Sequence, residues 1–470
     1  MESTPEEQGV DSVALGDALD LIVRQRIPIH SLLMVRHGVV VLDASFFPDS
    51  ASAPHDVASV TKSVTSLLTG IAIDRGLVKS VKEPVLPLLK ASADDPLKRR
   101  MTVESLLSMT SGMSCGALNG AHTAEEELDA MRQSADWIGY ALKLPMRDEP
   151  GKQFAYCSVN NHLLSAVITA KTGMTLEAFA KQNLFGPLGI REWIWPADAK
   201  GLNHGWGDLH LYPRDMAKLG YLFLHDGMWG ERQVVSKQYV RDSARTHAMV
   251  RQGVGYGYSW WLNLGHDPVI PEAEGRGGQR IAIVPDKDTV VVFTAGGADT
   301  DVVAPFLLRS LASDGKLPAN PAALGRVRQL LRDAAMAPGP MGPPELPEIA
   351  RKISGKRYAF EKNALGLQEL TLVFAREDEG RVVIRTSEEE WSGAVGLDGV
   401  YRISPKGRLG LPMAVSGKWM NVDSFLLDVN LAANITRILA TVRFEGDRVE
   451  VELKDTTGSF FGLKVRGVAK

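Results

Sequence analysis

The stretch "MAPGPMGPPELPEI", residues 336–349, carries five prolines and two glycines. Proline cannot continue a helix or donate within a sheet, so no regular element crosses this stretch. A chain of 470 residues also exceeds what one hydrophobic core usually accommodates. Both observations predict a domain over 1–335, a linker over 336–349 and a second domain over 350–470. In the second domain "LQELTLVFAREDEGRVVIRT" and "RILATVRFEGDRVEVELKD" alternate apolar and polar residues around turns such as Glu445-Gly446-Asp447, the pattern of half-buried antiparallel strands. The expected unit is all-β, either a sandwich or a barrel.

The first domain opens with "DSVALGDALDLIVRQR", apolar at near-helical spacing, and then "HSLLMVRHGVVVLDAS", two apolar runs hinged at His37-Gly38. Much later "QRIAIVPDKDTVVVFTAG" repeats the hairpin and "DVVAPFLLRSLAS" the helix. Between them, over about 59–245, the periodic segments read as helices, among them "NNHLLSAVITAKTG" and "PRDMAKLGYLFLHDG". The expected fold is therefore α+β: an antiparallel sheet flanked by helices and interrupted by a helical insertion, followed by the all-β domain.

Charged residues form 23% of the chain and the net charge is -3, with no long block of one sign. Nothing favours nucleic acid or an anionic membrane surface, and a small molecule is the expected partner. Two cysteines, Cys115 and Cys157, are too few for a disulfide framework, and the ten histidines lack metal-type spacing. Neither metal nor other cofactor is expected. The acidic N-terminus has no apolar core, which makes the cytoplasm the default location, although a chain trimmed of a leader would read the same. The oligomeric state is left open.

Two serines compete for a nucleophile's role. Gly112-Met113-Ser114-Cys115-Gly116 fits G-x-S-x-G, which has chemical meaning where a strand turns sharply into a helix. Upstream, "MTVESLLSMTS" reads as a helix capped by Thr102, and downstream two glycines and an asparagine precede any helical period. Both flanks fail. In "HDVASVTKSVTSLLTGIAIDRG", by contrast, Val57, Val60, Val64, Leu67, Leu68 and Ile71 mark one helix face, with Ser59 in the first turn. Spacing i to i+3 puts Lys62 beside Ser59, so an amine and a hydroxyl are held together by the helix. To accept the serine proton, Lys62 must be desolvated or lie in a positive field. The unpaired N–H of Ser59 could help hold an oxyanion. A simpler account makes Ser59 a helix cap and Lys62 a solvated side chain.

Further along, "FAYCSVNNHLLSAVI" sets Tyr156 and Ser158 two residues apart before an apolar helix, where a phenol can relay protons or pack as a buried aromatic. In "EGRGGQRIAIVP", Gly275, Gly277 and Gly278 begin a strand, which suits close backbone approach by a substrate or a glycine-rich turn. His204 and His210, near Trp206, are candidate pocket residues or satisfied structural histidines.

In this order, Ser59-Val60-Thr61-Lys62, Tyr156-Cys157-Ser158 and Gly275 to Gln279 resemble the three motifs of the serine β-lactamase and penicillin-binding-protein superfamily. The nearest resemblance is to its class C-like branch of esterases, D-amino-acid peptidases and 6-aminohexanoate-dimer hydrolases, and it spans about residues 5–315. "TVESLLSMTSGM", "LYPRDMAKLGYLFL" and "GYGYSWWL" also look like that branch. The resemblance implies a sheet interrupted by a helical domain, Ser59 as acylated nucleophile, Lys62 as general base or relay, and Tyr156 as proton donor to the leaving group. It places Ser158 at the substrate, a second oxyanion donor within Gly277, Gly278 and Gln279, and Ser114 in a structural turn. Ser158 stands where β-lactamases often carry asparagine, and Gly275 where the third motif opens with lysine or histidine. Both departures argue against β-lactam specialisation. The implied function is a serine hydrolase of small-molecule esters or amides. The alternatives are a D,D-peptidase or weak β-lactamase, and a sensor or scaffold without turnover.

Overall fold

The computed structural model describes residues 3–50, 53–115, 126–342, 345–363, 365–407, 410–457 and 462–470. The first part is built on an eight-stranded antiparallel sheet. Its order is Val39–Ser45, Ile29–Arg36, Thr289–Ala295, Gln279–Val284, Ile270–Gly275, Trp261–Asn263, Val254–Tyr256 and Ala248–Arg251. The two hairpins at the outer parts of this region meet side by side, with Leu32 opposite Phe293 and Leu33 opposite Val292. His37 and Gly38, at φ 50° and 75°, make the first hairpin's turn.

Alternation along these strands builds two cores. Leu32, Met34, Val291 and Phe293 pack with Leu15 and Leu19 of helix Ser12–Gln25, Leu307 of Ala304–Ser310 and Val327 of Pro321–Ala335. Leu33, Val290 and Val292 point the other way, into the core shared with the helical insertion. A one-residue slip would exchange the two sets, and each buried side chain contributes about 1.5–3 kcal/mol, so the register is strongly specified.

At the centre of the second core runs helix Val60–Asp74, buried on every side from Val60 to Ala72. Its polar side chains find partners: Ser63 Oγ donates to Ser259 O at 2.6 Å and Thr65 Oγ1 to Gly205 O at 2.8 Å. Helix Ser158–Thr172 packs against it, and helix Pro213–Leu224 packs on the sheet strands Ile29–Arg36, Gln279–Val284 and Thr289–Ala295.

Helix Pro321–Ala335 stops where the proline-rich stretch begins, and helix Glu348–Ile353 already includes that stretch's last two residues. The ten strands that follow form a barrel, not a sandwich. Nine close on themselves through a parallel contact between Gly396 and Ser416, and Arg402–Ser404 lies against one edge. One barrel loop, 431–436, reaches the first domain, where Asp56 N–H donates to Ala433 O at 3.0 Å.

Candidate active site

The chain enters helix Val60–Asp74 through a strained turn. Ala58 has φ 46°, a conformation that costs a non-glycine residue of order 1 kcal/mol or more and persists only where neighbours enforce it. Here Asp56 Oδ1 accepts from Ala58 N–H at 2.8 Å, and Ala58 O accepts from Thr61 Oγ1 at 2.6 Å. Ser59 occupies the cap position, yet its side chain caps no backbone N–H. Its Oγ is instead met by Lys62 Nζ at 2.8 Å. Lys62 is 1% exposed, so it is not the solvated side chain of the simpler account. Its Nζ donates also to Trp206 O at 2.9 Å and stands 4.9 Å from the centre of the Tyr156 ring.

Tyr156 is held by other aromatics. It stacks on Trp261 with centroids 5.7 Å apart and meets Tyr256 edge-on at 6.5 Å, geometries that fix a ring's orientation. Ser158 is the first residue of helix Ser158–Thr172 and is buried. Between them Cys157 is joined to Cys115 in a disulfide, Cα to Cα 5.5 Å. The two cysteines are too few for a framework but form this single bridge, which ties the Tyr156 segment to the turn that carries Ser114. Bridges of this kind belong to oxidising compartments, which weighs against the cytoplasmic default. Among the described residues no helix is long and apolar enough to cross a membrane.

A Cβ on Gly275 would lie 2.5 Å from Val57 O and 3.0 Å from Ala58 Cβ, so the end of strand Ile270–Gly275 presses directly on the turn that leads into Ser59. Gly277 and Gly278, at φ 83° and 93°, make the hairpin turn to Gln279–Val284. A Cβ on Gly277 would meet Ile435 of the barrel loop at 2.4 Å. Gln279 is buried and bridges strands, its Nε2 donating to Ala295 O at 2.6 Å and its Oε1 accepting from Ala295 N–H at 3.1 Å.

A family model described as Beta-lactamase matches residues 7–313. The chain belongs to the beta-lactamase family. It is 26% identical over 328 residues to the 6-aminohexanoate-dimer hydrolase of Paenarthrobacter ureafaciens, covering 64% of this chain and 81% of that protein. It is 29% identical over 161 residues to the monacolin J acid methylbutanoyltransferase of Aspergillus terreus, covering 31% of this chain and 38% of that one. The fold of the octameric penicillin-binding protein homologue from Pyrococcus abyssi matches over 97% of this chain and 99% of that chain, at 18% identity and a TM-score of 0.51.

Around the catalytic candidates, this beta-lactamase-family chain adds a polar shell that its motifs do not announce. His204 Nδ1 is 2.7 Å from Asp208 Oδ2, and its ring stacks on Trp206 at 4.6 Å. His210 Nδ1 is 3.0 Å from Asp208 O. Both histidines thus have structural partners, and both also line a cavity of about 320 Å³ at the domain junction, with Asp56, Arg276 and barrel residues Leu431 and Asn434. Deeper lies a group that sequence reasoning missed. His30 Nδ1 is 2.8 Å from His55 Nε2, and His30 Nε2 is 3.4 Å from Asp49 Oδ2. Burial pushes the His30 imidazole down to about 3 and the Asp49 carboxyl up to about 7. Asp49 in turn accepts from barrel Ala433 N–H at 3.4 Å. Its local signal is Asp49, His55 and Asp56 standing shortly before Ser59, with His30 far upstream.

Ser114 lies in irregular chain after helix Val103–Leu107, which Thr102 caps. Its N–H donates to Pro145 O at 2.8 Å. The segment downstream, 116–125, lies outside the described residues.

Proposed function

We propose that this beta-lactamase-family protein is a serine hydrolase that cleaves carboxylic esters or amides of small molecules through an acyl-enzyme. The observation that carries this reading is the buried contact of Lys62 Nζ with Ser59 Oγ, 2.8 Å, beside the Tyr156 ring. Ser59 Oγ attacks the carbonyl carbon while neutral Lys62 takes its proton. The oxyanion is received by the Ser59 N–H at the helix start and by backbone where the chain leaves Gly275, the glycine nearest the nucleophile's turn. This shifts the second donor upstream of Gly277, Gly278 and Gln279. The proton passes through Lys62 and Tyr156 to the departing alcohol or amine, and the C–O or C–N bond breaks. Water then attacks the ester with the same pair as base, releasing the acid and restoring Ser59.

No basic side chain stands at Gly275, where Val57 O leaves no room for one, and the neighbouring Arg276, which lines the junction cavity, donates to Thr457 Oγ1 at 3.1 Å. This supports a substrate without an obligatory carboxylate at that place. The test is intact-mass analysis of wild type and Ser59→Ala with p-nitrophenyl esters, linear amides and penicillins. The expected result is one acyl group per chain on wild type with continuing product release, and none on the variant. Acylation that survives Ser59→Ala would remove the proposal, and one equivalent of label without turnover would replace it with the sensor reading.

A further inference from the structure

The barrel is filled at one end and hollow at the other. Tyr358, Phe374, Trp419, Phe425 and Phe444 form a continuous aromatic cluster with neighbouring centroids 5.2 to 6.0 Å apart. Further along the same strands the inward positions turn aliphatic. Leu427 and Val429 of Ser424–Asn430 face Ala440 and Ile438 of Arg437–Glu445, their register partners, and with Val442 and Trp391 they enclose a cavity of about 440 Å³. Protein interiors seldom leave voids much larger than a water molecule, and an apolar void does not hold water well. Barrels of this class either fill their interior with side chains or hold one small ligand. This one does the first at its aromatic end, so the unfilled end is a built feature of the fold, and its volume falls in the usual range for small-molecule sites.

The rim narrows the chemistry. Thr386, Ser387, Glu388 and Glu389 form its polar part, and among the described lining residues there is no lysine or arginine. A carboxylate head would meet glutamates and no cation, whereas a hydroxyl or ammonium head finds acceptors. We propose that the hollow end of the barrel binds one medium-length aliphatic molecule headed by a hydroxyl or ammonium group. The apolar chain lies against Leu427, Val429 and Ile438 and the head at the Thr386–Glu389 rim. Leu431 lines both this cavity and the one at the domain junction, so the site lies one side chain away from the catalytic domain. The proposal is independent of the reading of Ser59.

The test uses the full chain, titrated calorimetrically with decan-1-ol, decylamine and decanoate, with thermal unfolding as the check on folding. Wild type is expected to bind one equivalent of the alcohol and of the amine, and decanoate at least tenfold more weakly. Ala440→Phe, which projects a ring into the cavity, should weaken binding by tenfold or more, and Ala440→Leu by less. If the larger substitution unfolds the barrel, the smaller one decides. Absence of saturable binding to wild type overturns the proposal, as does decanoate affinity equal to that of the amine. Undiminished affinity in a folded Ala440 variant also overturns it, since the ligand would then sit elsewhere.

Discussion

Ser59 follows a residue held at φ 46° and opens a buried fifteen-residue helix, whereas Ser114 follows a five-residue helix and a glycine at φ 80°, and its N–H is spent on Pro145 O. Both turns are compact and both serines are partly enclosed. The difference lies in what arrives with them. The helix that carries Ser59 delivers Lys62 one turn later to 2.8 Å from its oxygen, while the N–H groups of Val60, Thr61 and Lys62 are taken by Val57 O, Ala58 O and Ser59 O. Around Ser114 the contacts serve the chain: Gly112 O accepts from Arg147 and Asp148 N–H, and Met113 bridges to Met146. A motif of five letters specifies the turn's residues, but the reactive state of a serine depends on which base its secondary structure brings to it.

The sharpest way to break this contrast is to exchange the two serines' fates. Ser59→Ala is expected to lower ester turnover by about 10³-fold or more, since it removes the attacking atom. Ser114→Ala is expected to stay within about twofold, because its side chain makes no part of the proposed chemistry. Initial rates with a p-nitrophenyl ester read both, and comparable losses in the two variants would defeat the comparison. Next in size is Tyr156→Phe, which keeps the stacking on Trp261 and Tyr256 but removes the phenol. A drop of about 10²-fold in kcat with little change in KM is expected for loss of a proton relay, and an unchanged kcat would leave Tyr156 as packing alone.

How far such features could be read beforehand depended on the distance over which their signal acts. The sheet halves were legible because period-two apolar runs persist through Leu32–Met34 and Val290–Phe293, and the Ser59–Lys62 pair because three residues of helix fix their separation. Barrel and sandwich share the same alternation, so the closure at Gly396 and Ser416 left no trace in any one strand. Ile435 packs over Gly277 from 158 positions away in a loop, "LAANIT", of ordinary composition. No residue beside Asp49 in the chain announces its partners, His30 and the distant Ala433. For Gly275, Gly277 and Gly278 the sequence offered two accounts, ligand approach and turn. All three are closely approached by the protein itself, Gly275 by Val57 O, Gly277 by Ile435 and Gly278 by Ala298 O, and Gly277 and Gly278 also make the turn.

The Ser59 and Ser114 regions are also physically linked, through the bridge from Cys115 to Cys157 beside Tyr156. The bridge closes a loop across a separation of 42 residues, and its loss is expected to reduce stability by about 2–4 kcal/mol. Replacing both cysteines by serine and following denaturant unfolding measures this. If the link only supports the fold, activity at low temperature should fall less than about threefold. A larger loss with unchanged stability would mean that the Ser114 turn positions Tyr156, making the two regions parts of one site.

The last effect concerns what lies behind Ser59, the buried group of Asp49, His30 and His55. A depressed histidine contributes stability that is present above its unfolded value and lost as pH falls toward its folded one. For His30 that window runs from about 6.5 down to about 3. Asp49 is raised, so its contribution is complete below about 4 and is lost as pH rises toward about 7. Over the shared window the folded protein binds one proton fewer at His30 and one more at Asp49 than the unfolded chain, and the two slopes cancel. Asp49→Asn keeps an oxygen for Ala433 N–H and removes only the second slope. The stability of the variant relative to wild type should therefore climb as pH rises from about 4 to about 7, by at most about 1.4 kcal/mol per pH unit, and level off outside that range. Taking the difference between the two proteins at each pH removes His55 and every other group they share. A difference that stays flat across the window would mean that Asp49 is ionised in the folded protein, and that the barrel loop is held beside the Ser59 turn by a charge.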